Sequence, residues 1–242
     1  MKPDIVYIYS HQASKWRGQE LKYSLRSLER YGRNYGKVYI VGDKPPYLND
    51  KIIHIKKEDK AANKERRIYE KLLCACQTEE ISNPFLLFND DYFLTRSIDL
   101  SLIGYFYFDR LENKVKSRKL NDIYRNALKN TAQALTERGL PTKHFDIHFP
   151  MKYYKDKFIE VMTGYDWEVR YGYVIKSLYA NSLKIQGEDK PDHKIYLSHN
   201  KREIREVVKN SDIFSTDKIT RALAEILQEL YPNQSSYENI LK

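Results

Sequence analysis

The chain has 242 residues, 41% apolar and 31% charged, with a formal net charge of +9. That composition supports a sizeable core without disulfide staples, and no run of about 18 apolar residues is present to predict a membrane-spanning helix. The positive balance suits a polyanionic partner such as nucleic acid, nucleotide or membrane phosphate, and equally the Lys-, Tyr-, Ile- and Asn-rich usage of an AT-rich genome.

"DIVYIYS" (4–10) is a β-branched and aromatic run that predicts a strand. It begins without the apolar core of a leader peptide, so a cytoplasmic location is expected. "GQELKYSLRSLERYG" follows, with Leu21, Leu25 and Leu28 at helical spacing and Gly32 as a stop. "KVYIVGD" (37–43) and "KIIHIKK" (51–57) predict two more strands. Residues 61–80 predict a helix through Ile68, Leu72 and Cys76. The two cysteines, Cys74 and Cys76, stand two apart on that helix, where neighbours do not share a face, and are expected to be reduced. "PFLLFND" (84–90) is a continuous apolar strand of the kind found at the centre of a parallel sheet. The first ninety residues thus alternate strand and helix, which argues for an open α/β sheet.

The second half reads as mainly helical. Residues 121–138 predict a helix stopped by Gly139 and Pro141, and "KHFDIHFP" (143–150) looks extended. Pro150 is expected to open a short helix reaching Met162. Residues 167–183 and 215–232 predict two more helices, the last with Ser215 or Thr216 as N-cap. Neither a repeat nor a linker interrupts the pattern. Residues 1–242 therefore read as a single domain, with an α/β half at 1–110 and a mainly helical closing half at 111–242.

In "FLLFNDDYFL" (85–94) an amide and two carboxylates interrupt a run that otherwise wants burial. Adjacent anions repel and cost several kcal/mol each to desolvate unless a cation meets them. Ligands of open α/β sheets bind beyond the carboxyl ends of the strands, where Asn89, Asp90 and Asp91 fall. In an extended segment Asn89 and Asp91 would share one side and Asp90 the other. A hard cation, Mg²⁺ or Mn²⁺, takes one or two carboxylates and completes its shell with phosphate oxygens and water, an arrangement suited to a nucleotide diphosphate. The plainer alternative is a surface turn. His144, Asp146 and His148 alternate in the extended segment: they could ligate a metal, His148 could act as general base, or they could be satisfied side chains of a half-buried strand. Arg170, among aromatic residues in "WEVRYGY", is suited to holding phosphate or to covering an aromatic patch.

Several of these stretches, in order, resemble the conserved blocks of the Stealth family of sugar-phosphate transferases. "ELKYSLRSLERYGRNYGKVYIVGDKPPYLND" and the Asn-Asp-Asp of "FLLFNDDYFL" resemble its second block. "HFPMKYYKDKF" with Arg170 is similar to the third, and "FSTDKITRALAEILQELYPNQSSYE" to the fourth. The resemblance implies a glycosyltransferase-A-like fold and metal-assisted transfer of a sugar 1-phosphate from a nucleotide sugar, typically a UDP-sugar, to an acceptor hydroxyl. It implies Asp90 and Asp91 as metal and diphosphate carboxylates, His148 as base and Arg170 as phosphate holder. Glu20, Tyr23, Ser24 and Arg26 would shape the donor pocket. The first block departs: Ser10 and His11 stand where the family carries an acid or amide, which keeps plain glycosyl transfer open beside sugar-phosphate transfer.

The acceptor is expected to be a saccharide or glycolipid hydroxyl. A hydroxylated base in DNA, decorated by a phage-type glycosyltransferase, is the rival. A non-catalytic nucleic-acid-binding module, with tyrosines stacking on bases and lysines on phosphates, is the contrasting class. A metallohydrolase centred on His144, Asp146 and His148 is a third reading.

Overall fold

A computed structural model describes residues 1–239 apart from Lys15 and Lys119. In chain order the strands and helices are β1 (Asp4–Tyr9), α1 (Gln19–Tyr31), β2 (Gly32–Arg33), β3 (Val38–Gly42), β4 (Ile52–Lys56), α2 (Lys64–Gln77), β5 (Phe85–Phe88), β6 (Phe93–Leu94), β7 (Ile98–Asp99), β8 (Phe106–Tyr107), α3 (Leu111–Val115), α4 (Asp122–Thr136), β9 (Met151–Tyr153), α5 (Lys155–Met162), α6 (Ile175–Ser182), β10 (Glu188–Asp189), β11 (Lys194–Ile195), α7 (Lys201–Asn210), β12 (Ile213–Thr216) and α8 (Arg221–Leu230).

The main sheet has the order β4-β3-β1-β5-β9. Its first four strands are parallel and β9 closes one edge antiparallel to β5. From β1 the chain steps outward through β3 and β4, then returns to the other side of β1 as β5. The strand order therefore reverses between β1 and β5, and the carboxyl ends of those two strands frame the crevice where open α/β sheets take ligands.

Both faces of the sheet are covered, as parallel strands require. On one face Ile5, Tyr7, Ile40, Leu86 and Phe88 meet Leu21, Leu25 and Leu28 of α1. Those three leucines are fully buried, each contributing about 2 kcal/mol of transfer free energy. On the other face Val6, Tyr39, Val41, Phe85 and Leu87 meet residues of α2, α4, α5 and α6. A satellite core joins α7 and α8 to Phe93, Phe214 and Tyr23. Gly42 ends β3 at φ +121°, and a Cβ there would lie 2.1 Å from the Tyr9 carbonyl oxygen, so only glycine lets the ends of β3 and β1 approach this closely.

The mixed α/β architecture agrees with the sequence reading, and the strands and helices of the first ninety residues fall within a few positions of expectation. Three expectations of the second half are corrected, and one helix is added. The segment after Pro150 is the edge strand β9, and its helix starts only at Lys155, because Met151 and Tyr153 pair with β5. The helix expected over 167–183 is confined to Ile175–Ser182; Tyr171 and Gly172, both at positive φ, interrupt the earlier part. Ser215 and Thr216 belong to β12, and the last helix is capped by Thr220, whose side chain accepts from the Leu223 N–H. Helix α7 was not anticipated, although Asn200 and Glu203 form a complete capping box at its start.

Candidate active site

Strand β5 stops at Phe88, and the Tyr92 N–H closes a turn onto the Asn89 carbonyl, 3.3 Å away. Residues 89–91 are thus not extended, and the expected alternation of Asn89 and Asp91 against Asp90 does not hold. Asp90 and Asp91 sit half-buried on this turn, at the β1/β5 switch point. Burial, then the charge of Asp91, then that of Glu20, push the Asp90 carboxyl up to about 8. Burial also raises Asp91, against the pull of His148, Lys194 and Lys176. Lys194 and Lys176 thus act on Asp91, and among the described residues Lys64, in the first turn of α2, acts on Asp90.

His148 carries the second arm of the site. Its Nδ1 lies 2.9 and 3.2 Å from the two oxygens of Asp192, and its backbone N–H donates to the same carboxylate. Its Nε2 lies 3.0 Å from Lys194 Nζ, which also pairs with Asp217 at 2.5 Å. An ammonium can only donate, so the network assigns the proton to Nδ1 and leaves Nε2 as the acceptor. Burial would raise Asp192, but the hydrogen bonds from the His148 ring and N–H, with Lys194 nearby, outweigh it and hold this carboxyl well below the usual range. The result is an imidazole oriented by an ionised partner, its second nitrogen against Lys194 and the ring close enough to act electrostatically on Asp91.

The segment 143–149 that bears His148 belongs to no sheet beyond an isolated bridge at Lys143. Side chains of α6 satisfy its backbone instead. Asn181 bonds both the N–H and the carbonyl of Lys143, and the Ser177 hydroxyl accepts from the Phe145 N–H. Lys176 donates to the carbonyls of Ile147 and Phe149, at 2.9 and 2.8 Å. Lys176 is 5% exposed, and its ammonium makes its third bond, 2.7 Å, to the Tyr92 hydroxyl.

The other two members of the alternating triplet serve elsewhere. The Tyr124 hydroxyl donates to Asp146 at 2.7 Å and lies 3.3 Å from His144 Nε2. His144 is 1% exposed, and burial lowers it to about 4, so it is a neutral core side chain. Among the described residues no three His, Cys, Asp or Glu side chains group as a metal site, which removes the support for the metallohydrolase reading. Glu65, in the first turn of α2, is pushed up to about 7 by burial and, among other charges, by Asp146.

The residues expected to shape a donor pocket separate into two sets. Glu20 is buried, accepts from the Ser14 hydroxyl and the Trp16 N–H, and acts electrostatically on Asp90. Tyr23 stacks on Trp16 with ring centroids 5.7 Å apart. The Ser24 hydroxyl, fully buried, donates to the Tyr92 carbonyl and so braces the acidic turn from behind. Arg26 points away to the C-terminal segment: it forms a bidentate pair with Glu238 at 2.7 and 2.8 Å. Arg170 lies ahead of α6 with its guanidinium over the Tyr171 ring, and is not among the charges acting most strongly on either Asp90 or Asp91. Asp192, Lys194, Lys176 and Glu65 escaped the sequence reading. A lysine, a serine and an asparagine embedded in the apolar run "YVIKSLYANSL" were the visible signal for α6.

Adjacent half-buried carboxylates at the strand-order switch, Asp90 raised by burial and its acidic neighbours and Asp91 partly offset by lysines, fit a divalent cation that draws its remaining ligands from substrate oxygens and water. Among the described residues no helix is long and apolar enough to cross a membrane. No family model matches the chain, and no curated protein matches it. Among solved structures, a glycosyltransferase involved in the glycosylation of the major capsid of PBCV-1 aligns over 96% of this chain and 100% of that one. The TM-score is 0.46 and the identity 11%. At that level of likeness the functional reading rests on the site itself.

Proposed function

We propose that this chain is a nucleotide-sugar-dependent transferase, moving a sugar or a sugar 1-phosphate from a donor of the UDP-sugar type to an acceptor hydroxyl. The observation that carries the reading is the acidic pair Asp90 and Asp91 at the sheet's switch point, facing an imidazole held by Asp192. Asp90 and Asp91 would hold Mg²⁺ or Mn²⁺, which supplies charge neutralisation to the donor diphosphate. The quoted resemblance to the Stealth family points the same way. We read 1–242 as one unit: 1–110 brings the acidic turn and Glu20, and 111–242 brings His148, Asp192, Lys194 and Arg170, the last as a further phosphate contact.

His148 takes the acceptor proton at Nε2, and Asp192 stabilises the imidazolium that results. The acceptor oxygen bonds to the anomeric carbon, or to the phosphorus that bears the sugar. The bond from that centre to the departing nucleotide breaks, and its electron pair stays on the nucleotide. Lys194 occupies the Nε2 lone pair and is therefore the residue that must yield; an anionic donor group attracting its ammonium would free the base. Asp192 and Asp146 place negative charge beside His148, which favours a neutral saccharide acceptor over a polyanion such as DNA.

The test is a thermal-shift screen of nucleotide sugars with Mg²⁺ and Mn²⁺, followed by mass spectrometry of acceptors incubated with the donor that binds. Stabilisation that needs both sugar nucleotide and metal, lost in Asp90→Asn and Asp91→Asn, is expected. Stabilisation by oligonucleotide alone, or full transfer activity in either variant, would retire the reading.

A further inference from the structure

We infer that Lys176 is a positioning residue that fixes the distance and orientation between the two arms of the site; the inference rests on the proposed role of His148. Its ammonium has three protons and three acceptors, all protein atoms, so it has no donor left for a substrate. Two acceptors are the carbonyls of Ile147 and Phe149, the residues on either side of His148. The third is the hydroxyl of Tyr92, the residue after Asp91. One buried cation therefore ties the base-bearing segment to the acidic turn.

The need for such a tie follows from the fold. The 147–149 stretch has no strand partner; the Phe149 N–H reaches back to the Ile147 carbonyl at 2.8 Å, and Lys176 supplies a second donor to that carbonyl and a donor to the Phe149 carbonyl. Asp192 grips His148 through its ring and its N–H, but Asp192 itself sits in the loop between β10 and β11, two short strands. Lys176 belongs to a helix packed into the main core, with Leu178 and Tyr179 fully buried. It transmits the rigidity of that core to a segment that cannot supply its own.

The experiment compares wild type with Lys176→Met and Lys176→Arg in the full chain, with histidine-labelled protein followed by NMR and the His148 signals assigned through His148→Gln. In wild type the Nδ1-bound proton is expected to exchange slowly and the ring to hold one tautomer. In Lys176→Met the ring is expected to sample both, with at least roughly tenfold loss of proton protection. The arginine fork keeps the charge but cannot reproduce three divergent bonds, so it should give a partial loss. In the transfer assay kcat should fall by about two orders of magnitude with the donor KM unchanged, as expected for misplacement of about an ångström. A fixed tautomer in a folded Lys176→Met overturns the inference. Failure of both variants to fold overturns it too, since Lys176 would then serve folding and not the geometry of the site. Because the tautomer is read without any substrate, absence of transfer activity in wild type would refute the proposed function while leaving this result legible.

Discussion

Metal binding at the acidic turn should depend steeply on pH, and Asp90 sets the scale. Its carboxyl is raised from 3.8 to about 8, mainly by burial and by its neighbour Asp91. A cation bound as proposed would have to displace the proton that Asp90 holds. At pH 6 about one carboxyl in a hundred is ionised, and at pH 8 about one half, so apparent affinity for Mn²⁺ should rise about fifty-fold between these values and gain less than about twofold above pH 8. The assay is Mn²⁺ titration followed by the electron spin resonance of the free ion, on wild type and Asp90→Asn. The variant should bind weakly and lose the slope over this range. The same shift has a consequence for stability whose sign can be worked out. A carboxyl with a raised folded value stabilises the fold fully below its unfolded value, and that contribution is lost as pH rises through the folded one. Without metal, Asp90→Asn should therefore melt progressively higher than wild type as pH climbs from about 4 to 8. Affinity that is flat from pH 6 to 8 in wild type, or a melting difference that shrinks over that window, would refute this account of the pair.

Three other outcomes follow from single contacts. Asp192→Asn removes the anion that orients His148, and transfer should drop by about two orders of magnitude while circular dichroism is unchanged; wild-type rates would remove Asp192 from the mechanism. Arg26→Ala removes the bidentate partner of Glu238, whose side chain is 3% exposed, and leaves it Lys22 at 3.7 Å and the Ser235 N–H and hydroxyl; a loss of about 2 kcal/mol is expected in denaturant unfolding. A large loss of donor affinity at unchanged stability would instead place Arg26 in the donor pocket. Gly42→Ala drives a Cβ into the Tyr9 carbonyl, and a loss of about 3 kcal/mol or more is expected; an unchanged melt would mean that the ends of β1 and β3 can part without penalty.

The local signals were strongest where one periodicity decided one element. Leu21, Leu25 and Leu28 announced α1, and "PFLLFND" announced a strand buried on both faces, because burial selects apolar residues at every such position. The same logic failed at 151–153, where three residues are too few to show a period and became a strand only because β5 offered an open edge. It also failed over 167–174, where composition allowed a helix but two consecutive residues at positive φ break it.

The candidate site divides along the same line. Asn-Asp-Asp after an apolar strand was conspicuous by itself, since its cost in a buried run demanded a reason, and His148 stood out by residue type. Asp192, Lys194 and Lys176 lie 28 to 46 positions from His148 and carry no periodic or motif signature of their own. The sequence by itself determined the alternating α/β order, the central strand and the anomalous charge at its end. Only the tertiary structure decided which cations meet those charges and which helix holds the segment of His148. Pairing depends on which distant segments share a crevice, and Coulomb and hydrogen-bond energies act over distances in space and not along the chain.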